Sequence, residues 1–199
     1  MRIFILGCPR SGTSIVSTAL WNLGVDMGIG NLLYKDGYFK CEDLKMATIN
    51  AKILRRSGIK SDEAKLDDYK KVRVIDFEPM IKKYIKQRDD RSKVWAVKDT
   101  RLAPLFPIWQ KYLGDVKVIA CYRNPHYVES TTVKRENKRF VGFKMACNYE
   151  KILDSIDEKI DVEFDDIKNN PRVVLTGIIN DLGLEPTEKE FERAINFIY

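Results

Sequence analysis

The sequence lacks any apolar run that approaches the roughly 20 residues needed to cross a bilayer as a helix. Its first apolar stretch, at residues 2–6, is too short for the apolar core of a secretory leader and leads directly into a glycine-bearing loop. Cleavage there would remove the loop. We therefore expect a protein with neither a membrane span nor a secretory leader.

Cysteine and histidine are scarce, with four cysteines and one histidine in 199 residues. The cysteines show neither C-x-x-C spacing nor the density of a disulfide-rich domain, since they are scattered at Cys8, Cys41, Cys121 and Cys147. We expect reduced thiols and a cytoplasmic protein. Cys8 lies inside the loop, but nothing in the sequence indicates that it is a nucleophile.

Internal repeats, low-complexity tracts and long linkers are absent, which favours a single domain over residues 1–199. The composition, 44% hydrophobic and 32% charged, is typical of a globular protein. The formal charge of +6 suits a polyanionic ligand, although charge alone does not separate nucleic acid from a nucleotide or a sulfated product. No long basic block is present, so we expect no specific nucleic-acid partner.

Short apolar runs alternate with amphipathic stretches along the whole chain. The runs predict strands at residues 2–6, 94–97, 116–122 and 160–164. Helices are predicted at 15–23, 42–56, 74–87, 126–135 and 145–156. A further helix is predicted after residue 101, with a break near Gly114, and the C-terminal third is predicted to be helical. Residues 57–71 are predicted to form an exposed connection, and residues 89–92 a loop. This order predicts an α/β fold in three layers, with a central parallel sheet flanked by helices.

Residues 7–14 form a glycine-bearing turn between the first strand and the first helix. Free N–H groups and the positive end of the helix dipole suit a phosphate there. The spacing is close to G-x-x-x-x-G-K-[ST], with Gly7, Gly12 and Ser14 in register, but Thr13 replaces the lysine. Without that lysine a P-loop kinase or nucleotide hydrolase is disfavoured. A tight turn with no ligand is the other alternative.

Each clear strand ends in polar or basic residues: the loop with Arg10, residues 98–101, and residues 123–125. If the strands are parallel, their carboxyl ends share one edge of the sheet, where ligands bind in such folds. The three segments are therefore expected to form one site.

Residues 9–14, Pro-Arg-Ser-Gly-Thr-Ser, resemble the 5′-phosphosulfate loop of the sulfotransferases. These enzymes use 3′-phosphoadenosine 5′-phosphosulfate (PAPS) and have a P-loop-like fold. Many members have lysine where Arg10 stands, and arginine is a bacterial version. The resemblance implies that the 5′-phosphosulfate is bound by Arg10, Ser11, Gly12, Thr13 and Ser14.

Residues 95–102, Trp-Ala-Val-Lys-Asp-Thr-Arg-Leu, resemble the W-x-x-K-D-P-R-L stretch of bacterial sulfotransferases, with Thr100 in place of proline. In related tyrosylprotein sulfotransferases the lysine stabilises the transferring sulfuryl group, so the resemblance gives this role to Lys98. The alternative is a solvated lysine at a strand end.

Residues 123–125 resemble the start of the family's 3′-phosphate motif, which has arginine at the strand end and serine eight positions later. In this chain the arginine is Arg123. The later position is Thr131, which keeps a hydroxyl in place of the serine, and Ser130 is its neighbour in sequence. Arg135 follows one helical turn later, at the spacing of a second phosphate-binding arginine in tyrosylprotein sulfotransferases. An exposed helix arginine is the alternative for Arg135.

The resemblance implies a transfer of a sulfuryl group from PAPS to a hydroxyl or amine, with Arg10 and Lys98 as cations and no required metal. In related enzymes with a glutamate base, the base comes from the segment after the first helix. The resemblance therefore makes Glu42 the first candidate for the base in this chain, followed by Asp43 and Asp36. A non-catalytic nucleotide-binding module remains an alternative. The acceptor, a small molecule or glycan among other classes, and the oligomeric state stay open.

Overall fold

The computed structural model describes residues 1–28, 41–59, 68–136 and 141–198, with the side chains of 68–69 and 135–136 excepted. The strands are β1 (Arg2–Gly7), β2 (Trp95–Lys98), β3 (Lys117–Tyr122) and β4 (Ile160–Glu163). The helices are α1 (Thr13–Asn22), α2 (Leu44–Ser57), α3 (Glu78–Arg91), α4 (Leu102–Leu113), α5 (Pro125–Glu136), α6 (Val141–Asp154), α7 (Phe164–Asn169), α8 (Pro171–Leu182) and α9 (Glu188–Ile198). The predicted α/β fold is confirmed.

The strands form one parallel sheet in the order β2-β1-β3-β4. Ile5 of β1 lies opposite Lys98, and Gly7 lies opposite Cys121 of β3. Because all four strands run the same way, the segments that follow β1, β2 and β3 leave the sheet at one edge, as the sequence predicts.

Alternation along β1 directs its side chains to two apolar layers. Phe4 and Leu6 belong to the layer built with α2, α3, α4 and α6, where Trp95 and Trp109 are fully buried. Ile3 and Ile5 belong to the layer built with α1, α8 and α9. Burial on both faces explains why the strand is a continuous apolar run.

Helix α3 differs from its predicted bounds at both ends. Residues Val74–Asp76 form a short 3₁₀ turn, and the α-helix starts at Glu78, with Pro79 in its first turn. The helix continues to Arg91, so the loop predicted at 89–92 is wrong. Tertiary contacts hold this charged end, since the Arg88 guanidinium donates to the carbonyl oxygens of Asp26 and Ala96 at 2.7 and 3.4 Å.

Helix α6 begins at Val141, four residues before the predicted start. Its first turn packs closely on α5: a Cβ added at Gly142 would lie 2.8 Å from the Cα of Glu129. The Glu129 carboxylate accepts a hydrogen bond from the Phe143 backbone N–H at 2.8 Å and so satisfies one donor of the helix start. Within the described ranges, no helix is long and apolar enough to cross a membrane.

Candidate active site

The loop after β1 is a tight turn that only small residues allow. Ser11 closes it, because its backbone N–H and its hydroxyl both donate to the carbonyl oxygen of Cys8, at 3.1 and 2.7 Å. A Cβ at Gly7 would lie 2.6 Å from the Ser11 hydroxyl oxygen and 2.9 Å from the Cys121 carbonyl oxygen. Gly12 has φ 93°, in the left-handed region that favours glycine.

The start of α1 presents backbone donors at this loop. The N–H groups of Gly12, Thr13 and Ser14 have no hydrogen-bond partner among the described residues, whereas those of Ile15 and Val16 both donate to the Gly12 carbonyl oxygen. Unpaired N–H groups at a helix N-terminus, together with the helix dipole, form a ready anion site. These donors favour the phosphate site predicted at this loop, which stays a prediction.

Arg123 at the end of β3 connects directly to the loop. Its Nη1 donates to the Arg10 carbonyl oxygen at 3.1 Å, across 113 positions of sequence. Arg10 itself has φ 76°, an uncommon conformation for a residue with a Cβ. Two of the three predicted strand ends therefore meet at this hydrogen bond.

Phe164, at the start of α7, fixes the orientation of Arg123. The guanidinium carbon lies 3.8 Å from the centre of the Phe164 ring, a stacked cation–π contact. The same ring contacts the loop, since a Cβ at Gly12 would lie 2.9 Å from Phe164 Cδ2. Burial lowers the pKa of Arg123, and its Nε is buried without a hydrogen-bond partner among the described residues. An anion at this Nε would satisfy it.

Ser130 and Thr131 lie on α5, which begins directly after the Arg123 strand end. Both hydroxyls donate to the Tyr127 carbonyl oxygen, at 3.0 and 2.8 Å, so their oxygens face back along the helix toward its N-terminus. A hydroxyl that donates to the backbone can still accept a hydrogen bond, and it can also rotate so that its proton points at a bound anion. Arg135 lies one turn farther along the same helix, and its side chain is outside the described part.

Lys98 and Glu42 form an ion pair of a buried lysine with a partly buried carboxylate. Lys98 Nζ donates to Glu42 Oε1 at 2.8 Å, and the two side chains are 4% and 18% exposed. The interpretation of Lys98 as a solvated strand-end lysine is therefore wrong. The nearby thiols are buried too: burial raises the pKa of Cys41 and raises that of Cys121 to about 12, and the charge of Lys98 opposes both shifts.

Asp43, the second candidate base, has a structural task. Its carboxylate caps α2 by accepting from the N–H groups of Lys45 and Met46 at 2.8 and 3.2 Å. It also pairs with Arg88 Nη1 at 3.3 Å and is 3% exposed. These contacts give the Asp43 carboxylate a structural role, whereas the Glu42 carboxylate contacts Lys98 at the end of β2. Asp36, the third candidate, lies outside the described residues.

His126 and Cys8 gain no catalytic role from the structure. The exposed His126 ring packs on Phe143, with 4.9 Å between ring centres. Burial raises the pKa of the Cys8 thiol far above neutrality, so the thiolate that would act as a nucleophile is not formed. Among the described residues, no group of three or more His, Cys, Asp or Glu side chains could hold a metal ion.

A buried hydrogen-bond network behind Lys98 was not predicted from the sequence. Asp99 accepts from Arg101 Nε and Nη2 at 2.8 and 2.9 Å and from Asn50 Nδ2 at 3.3 Å. Asn50 in turn accepts from Trp109 Nε1 at 2.9 Å. The network joins α2, α4 and the end of β2. Asp99 and Arg101 belong to the 95–102 stretch, so the motif itself is the only sequence signal for it.

A parallel sheet with this loop and these strand ends has a P-loop-like α/β architecture. The chain is similar to the sulfotransferase domain of the Synechococcus PCC 7002 olefin synthase, with 16% identity, a TM-score of 0.63, and coverage of 96% of this chain and 76% of that chain. It is also similar to the sulfotransferase domain from the curacin biosynthetic pathway, with 16% identity, a TM-score of 0.55, and coverage of 94% and 75%.

A third similar structure is the sulfotransferase STF1 from Mycobacterium tuberculosis H37Rv, with 12% identity, a TM-score of 0.54, and coverage of 98% of this chain and 70% of that one. No family model matches the sequence, and no curated protein matches it. The fold is therefore that of sulfotransferase domains, as the resemblance of the loop and strand-end motifs predicts.

Proposed function

We propose that this protein is a sulfotransferase that moves a sulfuryl group from PAPS to a hydroxyl or amine acceptor. The observation that carries the proposal is the partly buried ion pair of Lys98 and Glu42 at the sheet edge that also bears the loop, whose N–H groups at Gly12, Thr13 and Ser14 have no partner among the described residues. A cation and a proton acceptor beside an anion site are what sulfuryl transfer requires. The fold shared with sulfotransferase domains supports the same assignment.

The donor fits the two anion-binding features of the site. In the proposal, the 5′-phosphosulfate takes the N–H groups of Gly12, Thr13 and Ser14, with Ser11 holding the turn and Arg10 supplying charge. The 3′-phosphate takes Arg123, whose buried Nε has no partner among the described residues, together with the hydroxyls of Ser130 and Thr131 and with Arg135. Arginine and hydroxyl groups suit a dianion because they donate paired, charge-assisted hydrogen bonds.

In the proposed reaction the Glu42 carboxylate takes the proton of the acceptor hydroxyl or amine. The acceptor atom forms a bond to sulfur while the bond from sulfur to the 5′-phosphate oxygen breaks, and that electron pair leaves with adenosine 3′,5′-bisphosphate. Lys98 stabilises the negative charge on the sulfuryl oxygens during transfer. Its burial strengthens this effect, since charges interact more strongly in a medium of low dielectric constant.

The alternatives lack support at particular residues. A P-loop kinase or hydrolase needs a lysine at position 13, where this chain has a buried threonine. A non-catalytic binding module needs only the anion-binding loop and strand ends, and it leaves the ion pair of Lys98 and Glu42 with a purely structural role. Enzymatic transfer therefore accounts for more of the observed geometry than binding alone.

The decisive measurement is transfer of ³⁵S-sulfate from PAPS to a panel of alcohols, phenols, amines and sugars, run beside ATP hydrolysis. We expect transfer to at least one acceptor class and no ATPase activity, with transfer abolished in Glu42→Gln. Lys117→Met should transfer sulfate normally and is the matched control for a substitution of Lys98, because Lys117 is an exposed lysine at the opposite end of a strand. ATP hydrolysis without sulfate transfer would overturn the proposal in favour of a nucleotide hydrolase.

A further inference from the structure

Asn50 lies in the interior of the protein and joins three elements. It is a fully buried residue of α2, its Nδ2 donates to Asp99 Oδ2 at 3.3 Å, and its Oδ1 accepts from Trp109 Nε1 at 2.9 Å. Asp99 directly follows the last residue of β2, and Trp109 belongs to α4. The reverse orientation of the amide would set its oxygen against the carboxylate and its NH₂ group against the indole N–H. Asn50 therefore uses both ends of its amide, and it connects α2 to the end of β2.

Asp99 is a buried carboxylate that Asn50 and the strand-end segment itself satisfy. Its side chain is 1% exposed and accepts from the backbone N–H, Nε and Nη2 of Arg101, at 2.8, 2.8 and 2.9 Å. Because Arg101 belongs to the same segment, these three bonds fix only the shape of that segment. Among the described residues, Asn50 is the one hydrogen-bond donor to Asp99 from another element. A buried charge is costly unless it is paired and hydrogen-bonded, so this bond favours one placement of the strand end against α2.

The same strand end and helix carry the ion pair of the proposed reaction. Lys98 directly precedes Asp99, and Glu42 precedes Asp43, the capping residue of α2. The two elements are therefore joined at two points, by Lys98 with Glu42 at 2.8 Å and by Asp99 with Asn50 at 3.3 Å. Because an α-helix is a rigid rod, a contact about two turns into α2 limits where its start can lie.

A second connection between α2 and β2 runs through Arg88 of α3. Its Nη1 pairs with Asp43 at 3.3 Å, and its Nη2 donates to the Ala96 carbonyl oxygen at 3.4 Å. This connection meets the chain before Lys98, whereas the contact of Asn50 meets it directly after Lys98. Loss of the Asn50 amide would therefore leave α2 attached to the fold and remove the contact on one side of Lys98.

We propose that Asn50 is a positioning residue of this site: its bond to Asp99 sets the end of β2 against α2 and thereby holds Lys98 in contact with Glu42. Neither of these two hydrogen bonds of Asn50 is made to Lys98 or Glu42, so it acts on the pair through Asp99. The effect on turnover rests on the proposed function, whereas the effect on the ion pair does not.

The test is Asn50→Ala, beside Asn22→Ala as the matched control. Asn22 is also a buried asparagine, but its Nδ2 donates to the Thr18 carbonyl oxygen within α1. Both variants should be less stable than the unaltered chain, because each loses a buried hydrogen bond. Only Asn50→Ala should lower the turnover number for sulfate transfer, by roughly tenfold, because a small displacement of the pair misplaces the reacting groups. Binding of adenosine 3′,5′-bisphosphate should be unchanged in both, since neither asparagine belongs to the proposed donor site.

A double-mutant cycle with Lys98→Met separates positioning from a general loss of stability. If Asn50 acts through the ion pair, Asn50→Ala should cost less free energy of unfolding in the Lys98→Met background than in the unaltered chain, where the pair is still present. Asn50→Ser, which leaves a hydroxyl and space for a water at Trp109 Nε1, takes the place of Asn50→Ala if that variant does not fold. Additive losses of unfolding free energy, or an equal fall of turnover in Asn22→Ala, would overturn the proposal, since Asn50 would then only stabilise the fold.

The stability cycle needs no enzymatic activity, so the two proposals can fail separately. Coupling between Asn50 and Lys98 in a chain that transfers sulfate to no acceptor would support the positioning of the ion pair and reject the proposed function. Sulfate transfer with the same turnover in Asn50→Ala as in the unaltered chain would support the proposed function and reject the positioning role.

Discussion

Lys98 Nζ and Glu42 Oε1 are 2.8 Å apart in a partly buried ion pair, although their residues are 56 positions apart in sequence. The pair joins the end of β2 to the residue that precedes the capping residue of α2. In this arrangement the cation and the proton acceptor of the proposed reaction neutralise each other. A sulfuryl group that attracts Lys98 would weaken the ion pair between Lys98 and the Glu42 carboxylate.

Loss of one partner of this pair should lower stability as well as turnover. We expect Lys98→Met to reduce sulfate transfer by roughly a hundredfold or more, on the scale of one electrostatic stabiliser. The free energy of unfolding should fall by about 1–3 kcal/mol, since a largely buried carboxylate loses its partner. Single-turnover kinetics and urea denaturation measure the two effects.

The double variant Lys98→Met/Glu42→Gln is the control for that prediction. It removes both charges, so most of the lost stability should return while transfer stays absent. A double variant no more stable than Lys98→Met would show that the ion pair is not the source of the stability loss. Near-normal turnover in folded Lys98→Met would contradict the catalytic role.

Arg123 and Arg135 should differ in what they bind. Arg135→Ala should weaken adenosine 3′,5′-bisphosphate by about 1.5–3 kcal/mol and leave adenosine 5′-phosphate unchanged, because a 3′ contact is lost. Arg123→Ala should weaken both nucleotides, because Arg123 also donates to the Arg10 carbonyl oxygen and supports the loop. Isothermal titration of both nucleotides tests the difference. Equal losses for the two ligands in Arg135→Ala would show that this arginine does not contact the 3′-phosphate.

Gly12→Ala should combine backbone strain with a clash against Phe164. The positive φ at Gly12 alone costs an alanine about 1–2 kcal/mol, and the new Cβ would lie 2.9 Å from the Phe164 ring. The matched control is Gly58→Ala, at a φ of 65° with no atom within 4 Å of the new Cβ. We expect a larger fall in melting temperature for Gly12→Ala, with weaker bisphosphate binding in that variant alone. Equal stability losses in the two variants would argue against the contact with Phe164.

Asp89 should make stability depend on pH in the acid range. Hydrogen bonding by Arg2 lowers the pKa of Asp89, whose carboxylate accepts from Arg2 Nε and Nη2 at 3.1 and 2.8 Å and from Trp95 Nε1 at 2.9 Å. Because the pKa is lower in the folded state, the stabilisation is present above the unfolded pKa of about 4 and is lost as pH falls through the folded value.

Asp89→Asn should therefore lower the melting temperature at pH 7. The free energy of unfolding should fall by no more than about 1 kcal/mol, because the pair of Arg2 and Asp89 is partly exposed. The difference from the unaltered protein should shrink below about pH 4. Asp90→Asn, which breaks only the exposed pair with Lys86, is the control and should change stability by less than about 0.5 kcal/mol. A stability difference for Asp89→Asn that does not vary with pH would contradict the linkage.

The strands, the loop and the shared sheet edge could be predicted from the sequence because their signals are local. Buried parallel strands must be apolar throughout, a left-handed turn selects glycine at Gly12, and parallel strands send their carboxyl ends to one edge. Helix limits were predicted less well where distant contacts decide them, as at Arg88, which holds the end of α3 against β2.

The tertiary structure alone decided which polar groups meet. Glu42 and Asp43 are adjacent and chemically alike, yet one pairs with Lys98 and the other caps α2 and binds Arg88. Nothing local in the sequence distinguishes them, since the choice depends on where β2 and α3 pass the start of α2. Phe164 likewise stacks on Arg123 only because β4 lies next to β3, so that the residues following these two strands leave the same edge side by side.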